Sequence, residues 1–347
     1  METINKIKEN ALINILAGGF NRSPEQLNKV HESDAELIRI PGTDITLALT
    51  TDTIAEEIET GLYGDPYMAG RMIVNVNLSD LSAVGAKPVG LLLSECFVEG
   101  TDKNFISELQ RGISDACDEA GTYILGGDTN TGAKTQIGAT AAGLITDGII
   151  ITRKGCSAGD ILFASGKLGA GNAFAFSAFL AGNGKSLFPF KPINRTKEGI
   201  IIRKYGSCCM DTSDGAIATL DQLMRINGKG FVISAEYKDY VDERVLAMAG
   251  QNHIPVFNFL AGIHGEFELI FTVPKENAEV FPDDAGRIGW KPVRLGYVIA
   301  EQEIIFNNGD GFIKPDTTFL RNLYEERKGN VKDYAGELIK YSMELQS

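Results

Sequence analysis

The sequence predicts a two-domain protein of mixed α and β structure. Its 347 residues exceed the length that a single hydrophobic core usually organises, so two domains are the better expectation. Patterns typical of strands and patterns typical of helices alternate along the chain. The pattern changes around residues 152–160, and we place the boundary there, with a first domain at 1–150 and a second at 151–347.

Composition argues against some classes of partner. The net charge is −13, whereas nucleic acid or an anionic membrane would require a basic face. An acidic chain can still bind phosphates when metal ions bridge the like charges. The apolar runs fall short of the roughly 20 residues that span a bilayer, and the first residues read as an amphipathic helix rather than a signal peptide. We therefore expect neither nucleic acid nor a membrane as partner.

Cysteine usage indicates a reducing compartment. The five cysteines show no zinc-binding spacing, and an odd number is a poor disulfide framework. Cys208 and Cys209 are adjacent and so are poor partners for each other. These features predict a reduced, cytoplasmic protein.

The first domain begins with two strands within residues 31–52, joined by a turn at 41–44. Asp34 precedes the first strand, and Thr-Thr-Asp at 50–52 ends the second. This ending suits either a polar strand terminus or a ligand role, and the sequence leaves both open. Residues 54–67 carry several acids around two glycines, which predicts an exposed acidic loop.

The stretch NVNLSDLSAVGAKP at 75–88 follows an apolar segment that predicts a buried helix at 68–76. Asn77, Ser79 and Asp80 place an amide, a hydroxyl and a carboxylate within four positions. An unpaired buried carboxylate costs several kcal/mol, so the position of Asp80 requires an explanation. A helix cap or a surface turn would explain it, but other carboxylates of the chain lie in similar settings.

The rest of the first domain alternates strands and helices. VGLLLSECFV at 89–98 reads as an apolar strand covered on both faces, and the next helix repeats apolar residues at every fourth position until Gly121. TYIL at 122–125 predicts a short strand, and GGDTN at 126–130 predicts a sharp turn. Two further strands, TQIGATAAGLI and GIIIT, are expected within residues 135–152.

The second domain contains two turns suited to ligands. A strand at 161–166 leads into a glycine-rich turn and an apolar helix, an arrangement that suits anions although it lacks the lysine of a Walker A loop. DTSDG at 211–215 opens another helix, and a helix cap explains only one of its two aspartates. Four strands, GFVISAEY, FELIFTVP, RIGW and LGYVIA, and an amphipathic C-terminal helix complete the domain.

Six aspartates stand at predicted strand ends and helix starts, each beside Thr, Ser or Gly: Asp34, Asp52, Asp80, Asp128, Asp211 and Asp214. Oxygen ligands suit Mg²⁺, and mutual repulsion among six carboxylates would be prohibitive without cations. The substrate best matched to several Mg²⁺ ions is a polyphosphate such as ATP. With three histidines and no nucleophile motif, the chain suits phosphoryl transfer by positioning and charge neutralisation.

Several segments occur in the order found in one known family: SDAELIRIPG, DITLALTTDT, NVNLSDLSAVGAKP, LGGDTN, TRKGCSAGD, KPINR and DTSDG. Over roughly residues 30–300 the chain resembles the thiamine-monophosphate kinase family. Its superfamily includes aminoimidazole ribonucleotide synthetase, selenophosphate synthetase and a hydrogenase maturation protein. The resemblance implies an N-terminal α/β domain that dimerises through its sheet, a C-terminal α+β domain, and ATP bound in the cleft between them.

The resemblance also implies roles for individual residues. The positions that match the family's magnesium ligands are Asp34, Thr50, Thr51, Asp52, Asp80, Asp128, Asp211 and Asp214. The positions that match its ATP contacts are Gly127, Asp128, Arg153 and Ser213. We take Asp80, Asp128 and Asp214 as the catalytic residues. Arg153 also suits phosphate by its own chemistry, because its planar side chain presents a fork of N–H donors.

The chain departs from the family where the acceptor would bind. Ser33 replaces one of the family's acids, Glu59 falls at a substrate-binding histidine, and Gly265 falls at a substrate-binding glutamate. A carboxylate about 4 Å from an anionic phosphate would repel it by several kcal/mol at an effective dielectric of about 20. If Glu59 and Gly265 contact the acceptor, we therefore expect thiamine monophosphate to be a poor one.

Three functions fit these observations. The first is an ATP- and Mg²⁺-dependent kinase of the thiamine-monophosphate type, acting as a homodimer. The second is a superfamily enzyme with a different acceptor, related to aminoimidazole ribonucleotide synthetase. The third is a nucleotide-binding protein that lacks turnover.

Overall fold

The computed structural model describes residues 3–181, 186–309, 311–327 and 330–345. Within them, the N-terminal part of the chain forms a five-stranded sheet. Its strands are β1 (Glu36–Arg39), β2 (Thr46–Thr53), β3 (Lys87–Val98), β4 (Ile124–Gly132) and β5 (Gln136–Ile145). Their order across the sheet is β1-β2-β5-β3-β4, and every neighbouring pair is antiparallel except β3–β4, which is parallel.

Helices cover one face of this sheet. They are α2 (Ala55–Glu59), α3 (Pro66–Ala83) and α4 (Lys103–Ala120). The first helix, α1 (Lys8–Ala17), instead contacts the C-terminal part of the chain, where the Asn10 side chain donates to Gln222 at 2.8 Å and Glu9 pairs with Arg321. Asp65 caps α3 by accepting a hydrogen bond from the Tyr67 amide at 3.2 Å, and Pro66 occupies its first position. The helix α4 ends at Gly121, whose φ of 66° is left-handed, as the sequence predicts.

The C-terminal part of the described chain forms a seven-stranded sheet in the order β12-β11-β8-β10-β6-β9-β7. Its strands are β6 (Ile161–Ala164), β7 (Cys208–Asp211), β8 (Gly230–Ile233), β9 (Leu269–Val273), β10 (Val293–Ile299), β11 (Ile304–Asn307) and β12 (Phe312–Ile313). The helices around it are α5 (Ala170–Ala181), α6 (Thr196–Tyr205), α7 (Ala216–Asn227), α8 (Tyr237–Tyr240) and α9 (Glu243–Asn252), followed by α10 (Phe257–Ala261), α11 (Phe281–Arg287), α12 (Thr317–Glu326) and α13 (Val331–Glu344).

The helix α3 lies between the two sheets. It packs against β2, β5 and α4 on one side and against α6 and β7 on the other. The approach to α6 is close, because a methyl group at Gly199 would overlap with the backbone of Ser82. Nearly every residue of α3 from Ala69 to Ala83 is buried. Polar side chains near its C-terminal end therefore lie at the boundary between the two halves of the chain.

Most of the predicted elements form. The strand pair within residues 31–52, the helix ending at Gly121 and the helix after DTSDG are present. Three of the four C-terminal strands, β8, β9 and β10, also form as predicted. No helix among the described residues is both long and apolar enough to cross a bilayer, and all five cysteines are free.

Two predictions around the candidate ligands are wrong. GGDTN at 126–130 is not a turn but the middle of β4, because β4 keeps its parallel pairing with β3 as far as Gly132. Asp80 does not stand at a helix start, since α3 continues through it to Ala83.

Three further predictions also differ from the structure. Residues 54–67 are not an open loop, because they contain α2 and the buried Leu62 and Tyr63. RIGW at 287–290 ends α11 and continues into a turn, and GIIIT at 148–152 forms no strand. In each segment one apolar side chain, Trp290 or Ile151, is buried while its neighbour Ile288 or Ile149 is exposed. Neither segment pairs with a strand, and a short apolar run does not by itself distinguish a strand from a turn.

One face of the five-stranded sheet is open. Along β3, Leu91 and Leu93 are buried beneath the helices, whereas Leu92 points the other way and is 49% exposed. VGLLLSECFV is therefore covered on one face only within a single chain. The pairing register places further apolar side chains on the side of Leu92. We call this surface the open sheet face and define it by Leu47, Leu49, Leu92, Ala142 and Leu144.

Two glycines at the contact between α3 and α4 provide a stability test. A methyl group at Gly112 would overlap with the carbonyl oxygen of Tyr67, and one at Gly70 would overlap with that of Leu109. We expect Gly112→Ala to lower the free energy of unfolding by about 1–3 kcal/mol, as overpacking does. The matched control is Gly250→Ala in α9, where the space is open and alanine should add up to about 1 kcal/mol. Urea unfolding measures both, and a Gly112→Ala variant as stable as wild type would contradict this packing.

Candidate active site

Three aspartates from separate parts of the chain meet at the boundary between its two halves. Asp34 lies before β1, Asp80 lies in the last turn of α3, and Asp211 ends β7. One carboxylate oxygen from each lies within 4.8 Å of the others. Because α3 touches both sheets, it carries Asp80 to the end of β7. We call these three residues the aspartate cluster.

Hydroxyl groups orient the carboxylates of the cluster. The Thr50 hydroxyl donates to Asp80. Asp211 accepts hydrogen bonds from the Ser79 hydroxyl at 2.6 Å and from the Ser213 hydroxyl at 3.0 Å. The serines of NLSD and DTSD thus have a structural role. Ser79 binds the Asp211 carboxylate across the boundary, and Ser213 binds the same carboxylate from two positions along the chain.

Burial and mutual repulsion disfavour the charged forms of this cluster. Burial raises the pKa of Asp80 well above its usual range, and the negative charges of Asp211 and Asp34 raise it further. The same two effects, burial and the charge of Asp34, raise the pKa of Asp211 to about 7. Without a cation, the cluster therefore retains protons that ordinary aspartates lose.

The donor set of the cluster fits a divalent cation. Carboxylate and hydroxyl oxygens are the ligands that Mg²⁺ prefers. The Oδ2 atom of Asp34 is buried and has no hydrogen-bond partner, so one carboxylate oxygen is left for a ligand. A cation here would also remove the repulsion that holds the protons in place.

Arg153 is the cation beside the cluster within the described residues. Its guanidinium donates to Asp34 at 2.9 Å. Its backbone is fixed by two bonds, in which its amide donates to the carbonyl of Glu32 at 2.8 Å and its carbonyl accepts from the Asn227 side chain at 2.8 Å. Burial opposes its charge, but Asp34 and the other two aspartates raise the pKa of Arg153 above its usual value. One guanidinium balances the charge of only one of the three carboxylates, so the cluster can bind a further cation.

Asp52 and Asp214 extend the acidic region beyond the cluster. Asp52 lies near the end of β2 on the face toward α3, and burial raises its pKa. Asp214 lies in the turn after β7 and lines a cavity of about 740 Å³. Desolvation of its carboxylate, followed by the charge of Glu9, raises the pKa of Asp214 to about 6.

Thr51 and Asp128 do not join the cluster within one chain. Thr51 points to the open sheet face, and its hydroxyl donates to the carbonyl of Ala139 at 3.0 Å. Asp128 pairs in register with Ser94, also on the open sheet face, and accepts from the Asn130 side chain at 2.7 Å. Three strand spacings, about 14 Å, separate β4 from β2. Asp128 is therefore on a different surface from Asp52, and Gly127, which pairs with Leu93, lies on the same distant strand.

The two positions predicted to bind the acceptor lie outside this cavity. Glu59 is exposed and forms an ion pair with Lys134 at 2.6 Å. Gly265 is buried against the backbone of Thr212, and any side chain there would overlap with the Thr212 carbonyl. Beside Gly265, burial raises the pKa of Glu266 to about 8, and its carboxylate accepts from the Gly169 amide at 2.8 Å. The glycine-rich turn thus binds a side chain of its own chain.

Residues that sequence reasoning missed line the cavity instead. They include Glu57 on α2, Asn258 on α10, His264, and Tyr324 and Tyr334 on the C-terminal helices. Glu57 is two positions from Glu59 in the same acidic segment, so a helical period applied to 54–59 would have separated the two side chains. The other four carry no motif, and only the tertiary structure brings them together.

Comparisons with known proteins identify the family of the chain. Residues 32–145 match the family model of the AIR synthase related protein, N-terminal domain. The thiamine-monophosphate kinase of Pyrococcus horikoshii is 30% identical over 276 residues, which cover 78% of this chain and 84% of the relative. The chain belongs to the thiamine-monophosphate kinase family. A second member, from Buchnera aphidicola of Acyrthosiphon pisum, is 29% identical over 254 residues, which cover 71% of this chain and 77% of the relative. The family predicted from the motifs is confirmed.

Solved structures confirm the α+β fold of this family. AaThiL complexed with AMPPCP and TMP matches with a TM-score of 0.71 and 21% identity, covering 87% of this chain and 94% of that one. The protein tt0281 from Thermus thermophilus matches with a TM-score of 0.71 and 26% identity, covering 86% and 96%. A chain of the HypE–HypF complex matches with a TM-score of 0.72 and 20% identity, covering 88% of this chain and 98% of that one, and hydrogenase maturation protein HypE in complex with ATP matches with a TM-score of 0.65 and 20% identity. The fold is therefore shared with proteins outside the kinase family.

The raised pKa values predict how Mg²⁺ stabilises the protein at different pH. Asp211 keeps its proton in the folded state up to about pH 7, whereas an unfolded aspartate loses it near 3.8. This stabilising contribution is complete below pH about 4 and is lost as pH rises through about 7. Mg²⁺ would bind the deprotonated cluster, so its addition should raise the melting temperature more at pH about 8 than at pH about 5.

A variant makes this measurement specific. Asp80→Asn removes one repelling carboxylate, so it should melt higher than wild type without Mg²⁺ and lose most of the Mg²⁺-induced shift. The exposed Asp118→Asn should keep that shift. An equal Mg²⁺ effect at both pH values, or an undiminished effect in Asp80→Asn, would exclude the aspartate cluster as the metal site.

Proposed function

We propose that the protein is an ATP- and Mg²⁺-dependent thiamine-monophosphate kinase. An oxygen of the acceptor's phosphate would attack the γ-phosphorus of ATP while the bond to the β–γ bridging oxygen breaks, giving thiamine diphosphate and ADP. The observation that carries the proposal is a buried carboxylate cluster with an unpartnered oxygen, in a chain 30% identical to a curated member of this family. The AaThiL structure of the same fold was solved with AMPPCP and TMP.

In this proposal, the side chains position charge and none acts as a nucleophile. Asp34, Asp80 and Asp211 would hold Mg²⁺, with Asp52 and Asp214 as further ligands, and bound Mg²⁺ supplies the neutralisation of phosphate charge. The hydroxyls of Thr50 and Ser79 keep the carboxylates oriented. The ATP contacts would come from Gly127, Asp128, Arg153 and Ser213. Arg153 lies beside the cluster and offers further N–H donors to phosphate oxygens.

The position of Asp128 supports a homodimer as part of the proposal. Asp128 points to the open sheet face, whereas Asp52 points toward α3, so one chain cannot bring both to the same phosphate group. Apolar side chains on the open sheet face favour contact with a second copy. We propose that residues 1–150 form the dimerisation and ATP-binding domain and residues 151–347 complete the cleft. Asp128 of one copy would then serve the cleft of the other.

The arrangement of Glu59 changes the expectation for thiamine monophosphate. Repulsion of the acceptor phosphate requires Glu59 to face it, but Lys134 pairs with its carboxylate. Gly265 lies where no side chain fits, so its lack of a carboxylate says little about the acceptor. We therefore propose thiamine monophosphate as the acceptor. The five free cysteines support a reduced cytoplasmic location.

The alternatives from the superfamily have weaker support. HypE shares the fold at 20% identity, so the fold alone does not distinguish a thiamine-monophosphate kinase from the other enzymes of the superfamily. The relatives that share more sequence, at 27–30% identity, are named thiamine-monophosphate kinase.

A turnover assay tests the proposal. Purified protein with ATP, Mg²⁺ and thiamine monophosphate should release ADP and thiamine diphosphate in equal amounts. Asp80→Asn and Asp214→Asn should each lower kcat by at least about 100-fold, as the loss of a charge-stabilising group does, while Asp118→Asn should retain wild-type activity. Absence of thiamine diphosphate with the wild type would refute the kinase. Wild-type kcat in Asp80→Asn would refute the assigned metal site.

Light scattering tests the dimer. The wild type should have twice the chain mass of 37.5 kDa at micromolar concentration, because the open sheet face is apolar. Leu92→Lys should give a folded monomer, since it places a charge in the centre of the proposed contact. A wild-type monomer would contradict the dimer.

Complementation tests the shared site. Asp80→Asn and Asp128→Asn homodimers should each be nearly inactive, and refolding them as a mixture should restore activity. Restoration is expected because a mixed dimer has one cleft with both aspartates intact. Inactive mixtures that contain mixed dimers would show that Asp128 acts within its own chain.

A further inference from the structure

The cavity beside Asp214 has an excess of negative charge. Among the described residues its wall contains five carboxylates and two cations, Arg321 and Lys332. Arg321 already pairs with the carboxylate of Glu9 at 2.8 Å, and Glu56 accepts a hydrogen bond from the Tyr324 hydroxyl at 2.8 Å. The cavity is otherwise largely apolar and aromatic, with Phe176, Phe179 and Leu338 in its wall.

Glu57 lies half-buried in the wall of this cavity. It forms no ion pair with any described residue, whereas Glu59 beside it pairs with Lys134. Burial, followed by the charges of Glu56, Asp52 and Asp214, raises the pKa of Glu57 to about 7. A half-buried carboxylate in apolar surroundings gains most from a ligand that carries positive charge without strong hydration.

Two neutral polar side chains also line this cavity. Asn258 is 6% exposed and its Oδ1 atom has no hydrogen-bond partner; His264 is 9% exposed and its Nδ1 atom lacks one of normal geometry. Burial lowers the pKa of His264 to about 4, so its ring is neutral at physiological pH. Its Nε2 atom lies 2.7 Å from the Tyr63 hydroxyl. If that hydroxyl donates, Nδ1 carries the ring proton and can donate to a ligand.

These groups match the two rings of thiamine. Its thiazolium ring is cationic and aromatic, and its aminopyrimidine ring presents an amino donor beside a ring-nitrogen acceptor. The Asn258 oxygen can accept from the amino group, and the His264 N–H can donate to the ring nitrogen. The Glu57 carboxylate then faces the thiazolium across the apolar cavity.

We infer that Glu57 selects the acceptor by its positive charge and that Asn258 and His264 recognise the aminopyrimidine. This inference rests on the proposed function, because it assigns the acceptor half of the same reaction. It places acceptor specificity on three side chains other than Glu59 and Gly265. It also predicts that a neutral ring of the same shape binds without help from Glu57.

Calorimetric titration tests the assignment with two probes, thiamine monophosphate and its neutral thiophene analogue, in the presence of Mg²⁺ and AMPPCP. We expect Glu57→Gln to weaken thiamine monophosphate by about 10-fold or more and the neutral analogue by less than about threefold. Asn258→Leu should weaken both probes alike, because both carry the aminopyrimidine. The control is Glu279→Gln, an exposed glutamate that does not line the cavity, and melting temperatures verify that each variant is folded.

The outcomes separate this inference from the proposed function. Binding that depends on Glu57 but yields no thiamine diphosphate would refute the kinase and support the cavity as a thiamine site. Product formation with an unchanged KM for thiamine monophosphate in Glu57→Gln would overturn the inference and leave the kinase intact. Equal loss of both probes in Glu57→Gln, no binding of thiamine monophosphate to the wild type, or weaker AMPPCP binding in the variants would also overturn it. The last result would place the adenine ring in this cavity.

Discussion

Repulsion among three buried carboxylates is the constraint on which the rest of the structure depends. Oxygens of Asp34, Asp80 and Asp211 lie within 4.8 Å of one another, with one arginine beside them. A buried charge without a partner costs several kcal/mol, so the metal-free cluster holds protons and the fold must supply orientation. Hydroxyls from Thr50, Ser79 and Ser213 do so. In the function that we propose, Mg²⁺ would relieve this repulsion, and folding would then be coupled to magnesium binding.

The helix α3 transmits this constraint to the architecture. Its last turn must reach the end of β7, and the backbone contacts at Gly199 and Gly112 allow the neighbouring helices to approach closely enough. On the opposite side of the first sheet, the open sheet face carries Asp128 away from the cluster. Within one chain the acidic residues thus divide into two groups. The homodimer that we propose would bring the two groups to one phosphate chain.

The sequence predicts the family and the mixed α and β fold, because both follow from motifs in a fixed order. It groups six aspartates together, whereas within one chain the structure brings together Asp34, Asp80 and Asp211 and leaves Asp128 on the open sheet face. It does not predict that GGDTN extends a strand, since glycine-rich segments favour turns and only the pairing with β3 overrides that preference. The acceptor wall that we propose also differs from the one that the sequence predicts. Glu57 and Glu59 are indistinguishable by composition, and Asn258 and His264 gain meaning only from a cavity formed by helices distant in sequence.

The central claim is that the aspartate cluster exists to bind divalent cations for phosphoryl transfer. Crystals grown with Mn²⁺ and AMPPCP test it directly, because anomalous scattering locates manganese without reference to the fold. The account predicts an anomalous peak bonded to carboxylate oxygens of Asp34, Asp80 and Asp211, with phosphate oxygens completing its coordination. Nucleotide bound with no peak at the cluster, or manganese bound only elsewhere, would contradict it.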